Sequence, residues 1–197
     1  MIPNGIDTSR LEEGRNRRHE PFAFLAFGGR NIDKRVDIIF KAGEMLEQKG
    51  SRFTLTVVEG SDTMAVAMNH FGGRLPQWLH FTKPMENINA LFAEADCFVS
   101  SSVHETFSYA VAEASVYGLP VVQSNIEGTM WNAGNPSAFL FESGDAGDLA
   151  GTMEKVMAIP EDVLRNMCST TRDNNLKQYS LEAWCDKIVD FYEKIPQ

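Results

Sequence analysis

Two glutamates lie eight positions apart in the segment SSVHETFSYAVAEASVYGLPVV, residues 101–122. Glu105 follows a short apolar run, and Glu113 lies among alanines and valine in a stretch with helical spacing. A carboxylate on an apolar helix is costly to bury unless a partner compensates its charge. At ~1.5 Å per residue, eight helical residues would separate the two carboxylates by about 12 Å along the axis. That separation is comparable to the reach from a sugar ring, across a diphosphate, to a ribose.

The spacing therefore suggests that one carboxylate contacts a sugar while the other accepts hydrogen bonds from ribose hydroxyls. Free amides at the start of the helix would favour an anion such as a phosphate between them. Two alternatives stay open, since two glutamates at this spacing also occur by chance in many helices. In addition, Glu105 alone could complement the helix dipole, which is worth ~0.3–1 kcal/mol.

A second candidate loop, GGRNIDKR (residues 28–35), follows another apolar run. Its glycines, Gly29 among them, let the backbone approach a ligand closely. Arg30, Lys34 and Arg35 supply cations for a diphosphate, and an arginine can bind two phosphate oxygens at once. The alternative is a tight turn followed by a charged first helical turn, because the segment lacks the GxGxxG pattern of a dinucleotide site.

A third loop, NIEGTMWN (residues 125–132), contains Gly128 and Thr129, which could offer backbone donors to a phosphate or a sugar. A plain surface turn is the alternative for this loop. His104 could donate to a substrate or be structural, and Cys97 fits a small core residue. The sequence has no GxSxG elbow, HExxH zinc helix or GxxxxGK(S/T) loop, and its histidines lack ligand spacing, so no metal site is expected.

Alternating apolar and helical patterns predict the elements that position these loops. The segments with strand character are 21–29, 53–60, 78–82, 96–101, 120–124 and 138–143. The segments with helical spacing are 36–50, 62–72, 88–95, 107–118, 145–158, 161–176 and 180–195. This alternation predicts an α/β fold, a doubly wound, Rossmann-like parallel sheet of about six strands with helices on both faces. Ligands of such sheets bind beyond the carboxyl ends of the strands.

The predicted division has three parts: residues 1–20 as an interdomain linker and the start of the domain, 21–178 as the Rossmann-like domain, and 179–197 as a C-terminal helix. The first part includes the turn-rich IPNGID at 2–7. It also includes the basic run RNRRH at 15–19, which is either a solvated loop or a contact with an anionic surface.

Composition narrows the function classes. A net charge of -9 over 197 residues argues against a nucleic-acid partner. No apolar run approaches the ~18 residues of a transmembrane segment, and no signal peptide is evident. Three widely spaced cysteines fit a reducing compartment. We therefore expect a cytoplasmic protein, with a peripheral position at the inner face of the membrane as the alternative.

Taken in order, the motifs resemble the C-terminal, nucleotide-sugar-binding domain of retaining GT-B glycosyltransferases of the family 4 type. The resembling segments are IPNGID, FLAFGGRNIDKRVDIIFKA, FTLTVVEG, the stretch from LHFTKP to YGLPVV, FLFESGDAGDLAGTM and YSLEAWCDKIVDFYEKI. They cover nearly the whole chain. The Glu105-x7-Glu113 pair, the EX7E motif, is specific in this setting, and the ordered series strengthens it.

The resemblance implies one half of a GT-B fold and a role for each matching residue. Arg30 and Lys34 would bind the diphosphate, Glu105 would contact the donor sugar, and Glu113 would bind the ribose. The implied catalytic residues are Glu105, Arg30 and Lys34, and the implied substrate-binding residues are Gly29, Lys83, Thr106, Phe107, Ser108, Tyr109 and Glu113. Among these, the amides from residue 106 to residue 109 would hold phosphate and sugar, and Lys83 would lie near the base.

The resemblance also implies an activity: transfer of a sugar from a UDP-, GDP- or ADP-linked donor to an acceptor with retained configuration, without a metal or another cofactor. The acceptor would bind to an N-terminal domain of the same enzyme, so the isolated chain would bind donor weakly and lack turnover. Polysaccharide biosynthesis is an expectation by analogy. The alternatives are a non-catalytic nucleotide-sugar-binding or scaffold module and, less favoured, a GT-B epimerase.

The sequence departs from the family pattern at several positions. The family usually has glycine where Thr106 and Ser108 stand, and Arg35 replaces a frequent glycine. Arg30 and Lys34 are one residue closer together than in the commonest spacing, and Ser100 stands where a proline often precedes the serine. All the charged groups that the implied mechanism needs are present.

Overall fold

Six parallel strands form one sheet in the computed structural model of the protein, which describes residues 4–14 and 18–194. In chain order they are β1 (Phe22–Phe27), β2 (Phe53–Val58), β3 (Leu79–Thr82), β4 (Cys97–Ser100), β5 (Val121–Ser124) and β6 (Ala138–Phe141). Their order across the sheet is β3-β2-β1-β4-β5-β6, and all neighbouring strands are parallel. The predicted α/β fold with a doubly wound sheet is confirmed.

Helices connect and follow the strands. They are α1 (Asn31–Lys34), α2 (Val36–Gln48), α3 (Thr63–His70), α4 (Ile88–Ala93), α5 (Tyr109–Tyr117), α6 (Ala146–Ala158), α7 (Glu161–Tyr179) and α8 (Leu181–Glu193). Of the predicted segments, residues 2 and 3 of IPNGID, residues 15–17 of the basic run and Ile195 of the last helix lie outside the described residues. No helix in the described ranges combines the length and the hydropathy that crossing a membrane requires.

The core lies on both faces of the sheet. Alternate residues of a strand point to opposite faces. Phe24 and Ala26 of β1 accordingly pack with α2, α3 and α6, whereas Leu25 packs with α4 and α5. Because both faces are covered, the central strand β1 (FAFLAF) is apolar throughout, whereas β2 (FTLTVV) alternates with half-buried threonines.

The strand order creates a switch point between β1 and β4. These strands are neighbours, with Ala26 paired to Val99, yet the chain leaves β1 towards β2 and leaves β4 towards β5 on the other side. The connections therefore diverge and leave a crevice at the carboxyl ends of the two strands, which is where open α/β sheets bind ligands. The loops at 28–35 and 101–108 border this crevice.

The segment at residues 4–14 packs against the domain instead of extending from it. The Ile6 amide donates to the Tyr179 carbonyl at 2.7 Å, and the Gly14 amide donates to the Tyr117 carbonyl at 2.8 Å. Ile6 is buried in a small cluster with Phe107. The division into residues 1–20, 21–178 and 179–197 stays a prediction.

Two local features differ from the sequence-based expectation. Helix α5 begins at Tyr109 and not at Phe107, because Ser108 adopts a left-handed backbone with φ of 31°. Glu105 therefore lies in a loop before the helix, and the rise of ~1.5 Å per residue that the estimate of about 12 Å assumed applies only from residue 109 onward. The loop at 125–132 contains a 3-10 helix, Glu127–Asn132.

Candidate functional site

A lysine and a glutamate meet across the switch point. Lys34, the last residue of α1, places its Nζ 2.5 Å from Oε1 of Glu105. The Ser102 hydroxyl donates to the same carboxylate oxygen at 2.9 Å. The pair thus joins the loop after β1 to the loop after β4, as the interpretation of these loops as one site requires. Charge-assisted hydrogen bonds of this kind are among the strongest side-chain contacts in proteins.

Backbone bonds fix the same two loops to each other. The Val103 amide donates to the Asp33 carbonyl at 2.9 Å. The Ser101 hydroxyl lies 2.6 Å from the Lys34 carbonyl oxygen and 3.0 Å from that of Arg35. The backbone around Lys34 is therefore held in place, and this fixes the position from which the Lys34 side chain extends.

Arg35 explains why glycine is frequent at its position in the family pattern. Its φ of 47° is left-handed, which costs a non-glycine residue roughly 1–2 kcal/mol. The Arg35 side chain compensates with two bonds to Asp37, from Nε to Oδ1 at 2.9 Å and from Nη2 to Oδ2 at 3.1 Å. These bonds raise the pKa of the guanidinium above its usual value. Because these bonds occupy the Arg35 guanidinium, Arg30 and Lys34 are the better candidates for binding a phosphate.

Two glycines allow neighbouring loops to close on this centre. A Cβ added to Gly60, in the loop after β2, would lie 2.1 Å from the Gly29 nitrogen. A Cβ added to Gly128, in the loop after β5, would lie 2.0 Å from the Glu105 carbonyl oxygen. Both distances are far below contact, so side chains at these positions would push the loops apart. Only a glycine at position 128 thus allows this loop to approach the backbone of Glu105, and the predicted donation by Gly128 to a ligand stays a prediction.

Glu113 lies inside α5 and is almost fully covered, with 12% of its side chain exposed. Its carboxylate accepts a hydrogen bond from the Arg10 guanidinium, which comes from the segment before β1. Burial raises the pKa of the Glu113 carboxyl above its ordinary value, and the charge and hydrogen bond of Arg10 act in the opposite direction. The carboxylate is thus costly to bury, as the sequence suggested, and it has a specific partner.

Two predicted cationic residues lie further from this centre. Arg30 precedes α1, its side chain is 73% exposed, and its Nη2 lies 2.8 Å from Oδ2 of Asp33. Lys83 is exposed directly after β3, the edge strand, with β2 between β3 and β1. Lys34 and Glu105 are therefore in direct contact, whereas Arg30 and Lys83 border the same edge of the sheet.

The predicted residues from 106 to 109 divide into exposed and buried positions. Phe107 is buried and stacks on Trp131 with ring centroids 4.8 Å apart. Ser108 is also buried, while Thr106 and Tyr109 are exposed. Phe107 therefore anchors the loop in the core, and only its backbone could contact a ligand.

Sequence reasoning missed the partners of both glutamates. Ser102 is adjacent to the quoted motif, but its hydroxyl had no distinguishing signal. Arg10 was treated as part of a linker, although the cost of burying Glu113 did indicate that its carboxylate needs a partner. The Thr129 backbone amide, predicted as a donor to a ligand, donates instead to the Ile126 carbonyl at 3.0 Å.

A cavity of about 720 Å³ lies on the side of the sheet opposite the crevice, at the amino ends of the strands. Phe22, Asp96 and Pro120, which lie where β1, β4 and β5 begin, contribute to its lining. It is thus at the amino ends of the strands, away from Lys34 and Glu105. Within residues 4–14 and 18–194, no three His, Cys, Asp or Glu side chains are grouped as metal ligands.

The profile of the family described as "Glycosyl transferases group 1" matches residues 22–158, more than half of the chain. No curated protein sequence matches the chain significantly.

Solved structures match nearly the whole chain. A glycosyltransferase from Rickettsia africae ESF-5 has a TM-score of 0.84 at 17% identity, covering 98% of this chain and 56% of that one. Anabaena Alr3699/HepE, solved in complex with UDP and glucose, has a TM-score of 0.79 at 18% identity, with coverages of 98% and 56%. The C-terminal domain of the group 1 glycosyl transferase LpcC from Francisella tularensis has a TM-score of 0.74 at 16% identity, with coverages of 90% and 100%.

These likenesses show the fold: the expected half of a GT-B glycosyltransferase fold is confirmed. The chain spans about half of the length of the Rickettsia and Anabaena proteins.

Proposed function

The chain belongs to the glycosyl transferases group 1 family, and on that premise we propose that it is the donor-binding half of a retaining glycosyltransferase. It binds a nucleoside-diphosphate sugar in the crevice between the loops after β1 and β4. The contact of Lys34 with Glu105 carries this proposal, because it places a cation and a carboxylate together at the switch point.

Lys34 can serve the diphosphate without losing Glu105. An ammonium group has three donors, so one can stay on the carboxylate while the others bind phosphate oxygens. Arg30, which is exposed one helical turn away, adds a second cation whose exposed pair with Asp33 can exchange for the phosphates. The exposed Thr106 and the amides before α5 complete the anion site.

The two glutamates then bind the two ends of the donor. Glu105, fixed by Lys34 and Ser102, accepts hydrogen bonds from hydroxyls of the transferred sugar. Glu113 accepts them from the ribose, and Lys83 lies towards the base. The Anabaena relative was solved with UDP and glucose, so a uridine nucleotide is the first candidate.

In the proposed reaction the bond between the anomeric carbon and the β-phosphate oxygen breaks, and its electron pair stays on the diphosphate. The acceptor oxygen forms the new bond on the same face of the sugar, and its proton leaves with the diphosphate. Lys34, Arg30 and the backbone amides stabilise the negative charge that develops on the leaving group. No step of this scheme requires a metal ion.

The acceptor site belongs to a second domain in this proposal. The chain covers 56% of the Rickettsia protein and all of the Francisella C-terminal domain. This chain accordingly corresponds to a C-terminal half that binds donor and needs the acceptor-binding half for turnover. A cytoplasmic location stays a prediction.

Calorimetric titration with UDP, GDP, ADP and UDP-glucose tests the proposal. One of the diphosphates should bind. Lys34→Ala should weaken that binding by at least tenfold, which is about the value of one charge-assisted contact. Chelation of metals should leave the affinity of the unchanged protein as it was. Arg52→Ala is the matched control because it also removes one positive charge, at an exposed pair with Glu20 where β2 begins. If no nucleotide binds, or if both variants lose affinity equally, the proposed site is wrong.

Turnover separates an enzyme from a non-catalytic module with the same fold. The chain should give no transfer by itself with donor and acceptor, and should support transfer when it is joined to an acceptor-binding half. Donor binding without transfer in the joined protein would favour the scaffold alternative.

A further inference from the structure

Arg10 contacts Glu113 across 103 positions of sequence. Its Nη2 donates to Oε1 of the carboxylate. The two side chains differ in accessibility, since Arg10 is 59% exposed and Glu113 is nearly covered. The ion pair therefore joins a largely exposed cation to a largely buried carboxylate.

Asn89 fixes the backbone that carries Arg10. Its Nδ2 donates to the Arg10 carbonyl at 2.8 Å, and its Oδ1 accepts from the Glu12 amide at 3.1 Å. One side chain in the first turn of α4 thus bonds the chain on both sides of Leu11, as a neighbouring strand would. Leu11 in turn packs against the cores around α5. The position of Arg10 is built into the fold and does not depend on its own flexible side chain alone.

The chemistry of the pair favours a role beyond simple neutralisation. A guanidinium carries five N–H donors in a planar group, and the contact with Oε1 uses only Nη2. Burial of Glu113 raises the pKa of its carboxyl, and Arg10 opposes this effect. An exposed arginine that supports a buried carboxylate keeps that carboxylate in one orientation, with further donors available beside it.

We propose that Arg10 is a positioning residue that orients Glu113 towards the ribose hydroxyls of the donor, and that Asn89 positions Arg10. This inference rests on the proposed function, in which Glu113 binds the ribose. It makes the segment before β1 part of the donor site. Arg10 then determines how strongly the protein prefers a ribonucleotide to the same nucleotide without a 2′-hydroxyl.

The test compares two ligands on the whole 197-residue chain. The tightest binder among UDP, GDP and ADP is titrated beside its 2′-deoxy form, and the ratio of the two affinities is the readout. The unchanged protein should prefer the ribonucleotide by about tenfold, the value of one hydrogen bond to a charged group. In Arg10→Ala the ratio should fall to about two or less, since a carboxylate that is free to turn no longer meets the hydroxyl with fixed geometry.

Three further variants sharpen the comparison. Arg10→Lys retains the charge and should restore part of the ratio, and Asn89→Ala should reduce the ratio although it leaves both members of the ion pair in place. Arg52→Ala, which removes a positive charge from an exposed pair elsewhere, should leave the ratio unchanged. If Arg10→Ala does not fold, Arg10→Lys and Asn89→Ala still decide the question, because both keep a charge beside Glu113.

The outcomes separate this inference from the proposed function. If no diphosphate binds the unchanged protein, the proposed function fails and this inference fails with it. If a diphosphate binds but the ratio is near one in the unchanged protein, the proposed contact of Glu113 with the 2′-hydroxyl is overturned together with the role of Arg10, while donor binding at Lys34 is not. If the ratio stays near tenfold in Arg10→Ala, only the role of Arg10 is overturned. A rise in ribonucleotide affinity in Arg10→Ala would also overturn it, because Arg10 would then compete with the ribose.

Discussion

Glu105 and Glu113 belong to one motif but have different kinds of partner. Glu105 lies in a loop and is bound by Lys34 and Ser102, which both border the switch point. Glu113 lies inside a helix among buried residues and is bound by Arg10, from a segment before the first strand. Each of these two carboxylates thus has its own cationic partner.

This difference between the partners of Glu105 and Glu113 indicates how strongly the rest of the domain holds each end of the site in place. Removing Lys34 would disturb a contact between two loops that backbone bonds already hold together. Removing Arg10 would take away the ion pair that offsets the cost of burying the Glu113 carboxylate. We therefore expect the diphosphate end to depend on charge and the ribose end to depend on orientation.

The largest effect is expected from removing both cations near the phosphates. Arg30→Ala/Lys34→Ala should weaken nucleoside-diphosphate binding by at least about 100-fold, since each charge-assisted contact is worth ~1.5–3 kcal/mol. Calorimetric titration measures it. Lys49→Ala/Arg52→Ala is the matched control, because it removes the same charge from exposed pairs with Glu154 and Glu20. Equal losses in the two double variants would mean that only overall charge matters.

Glu113→Gln should separate binding from stability. Affinity for the diphosphate should fall about tenfold, as for one hydrogen bond to a charged group. The free energy of unfolding at neutral pH should be at least as high as in the unchanged protein, because the raised pKa shows that burial disfavours the ionised form. Chemical denaturation measures this quantity, and a clear drop would contradict the assignment of burial as the dominant influence on Glu113.

The same shift predicts a pH dependence of stability. The pKa of Glu113 is higher in the folded state, so the folded protein binds more protons between the unfolded and the folded pKa values. The contribution of Glu113 to stability must then decrease as pH rises through that window. Glu113→Gln should remove this part of the slope when denaturation midpoints are compared from about pH 4 upward, just below the ordinary glutamate pKa. An unchanged slope would contradict the shift.

A smaller effect is expected at Ser108, which separates the loop of Glu105 from the helix of Glu113. Its left-handed φ of 31° is strained, and its side chain makes no capping bond to α5 within the described residues. Ser108→Gly should therefore stabilise the protein by about 0.5–1 kcal/mol, the relief of strain less the entropy cost of glycine. Ser108→Ala, which keeps a Cβ, should give no such gain in thermal denaturation. Equal midpoints for the two variants would show that the strain is absent.

The smallest effect is expected at Arg52, whose pair with Glu20 is exposed on both sides. Arg52→Ala should change the free energy of unfolding by less than about 0.5 kcal/mol, as is usual for exposed ion pairs. The value is obtained from the same denaturation curves. A larger loss would mean that this variant is unsuitable as a baseline for Lys34 and Arg10.

The fold could be predicted from the sequence because local patterns determine it. Apolar strands at Phe22–Phe27 and Phe53–Val58, each followed by helical spacing, leave few arrangements other than a parallel sheet. The shared location of the Lys34 and Glu105 loops also followed, since parallel strands bring their carboxyl ends to one side of the sheet.

The remaining features depend on contacts or strain that local patterns do not contain. Helix α5 starts late because Ser108 is left-handed, and Phe107 packs on Trp131 instead of lying in the helix. Arg10 is 103 residues from Glu113, so no periodicity connects them. The need for a partner was visible in the sequence, but the identity of that partner was a property of the folded chain.

The location of nucleotide binding tests the proposed donor site most directly. Amide chemical shifts of the ¹⁵N-labelled protein should be followed while the tightest of UDP, GDP and ADP is added. We predict that the shifts concentrate in the loops at 28–35 and 102–109, around Lys34 and Glu105. Shifts confined to the cavity at the opposite edge, at Phe22, Asp96 and Leu119, with none in those loops, would contradict it.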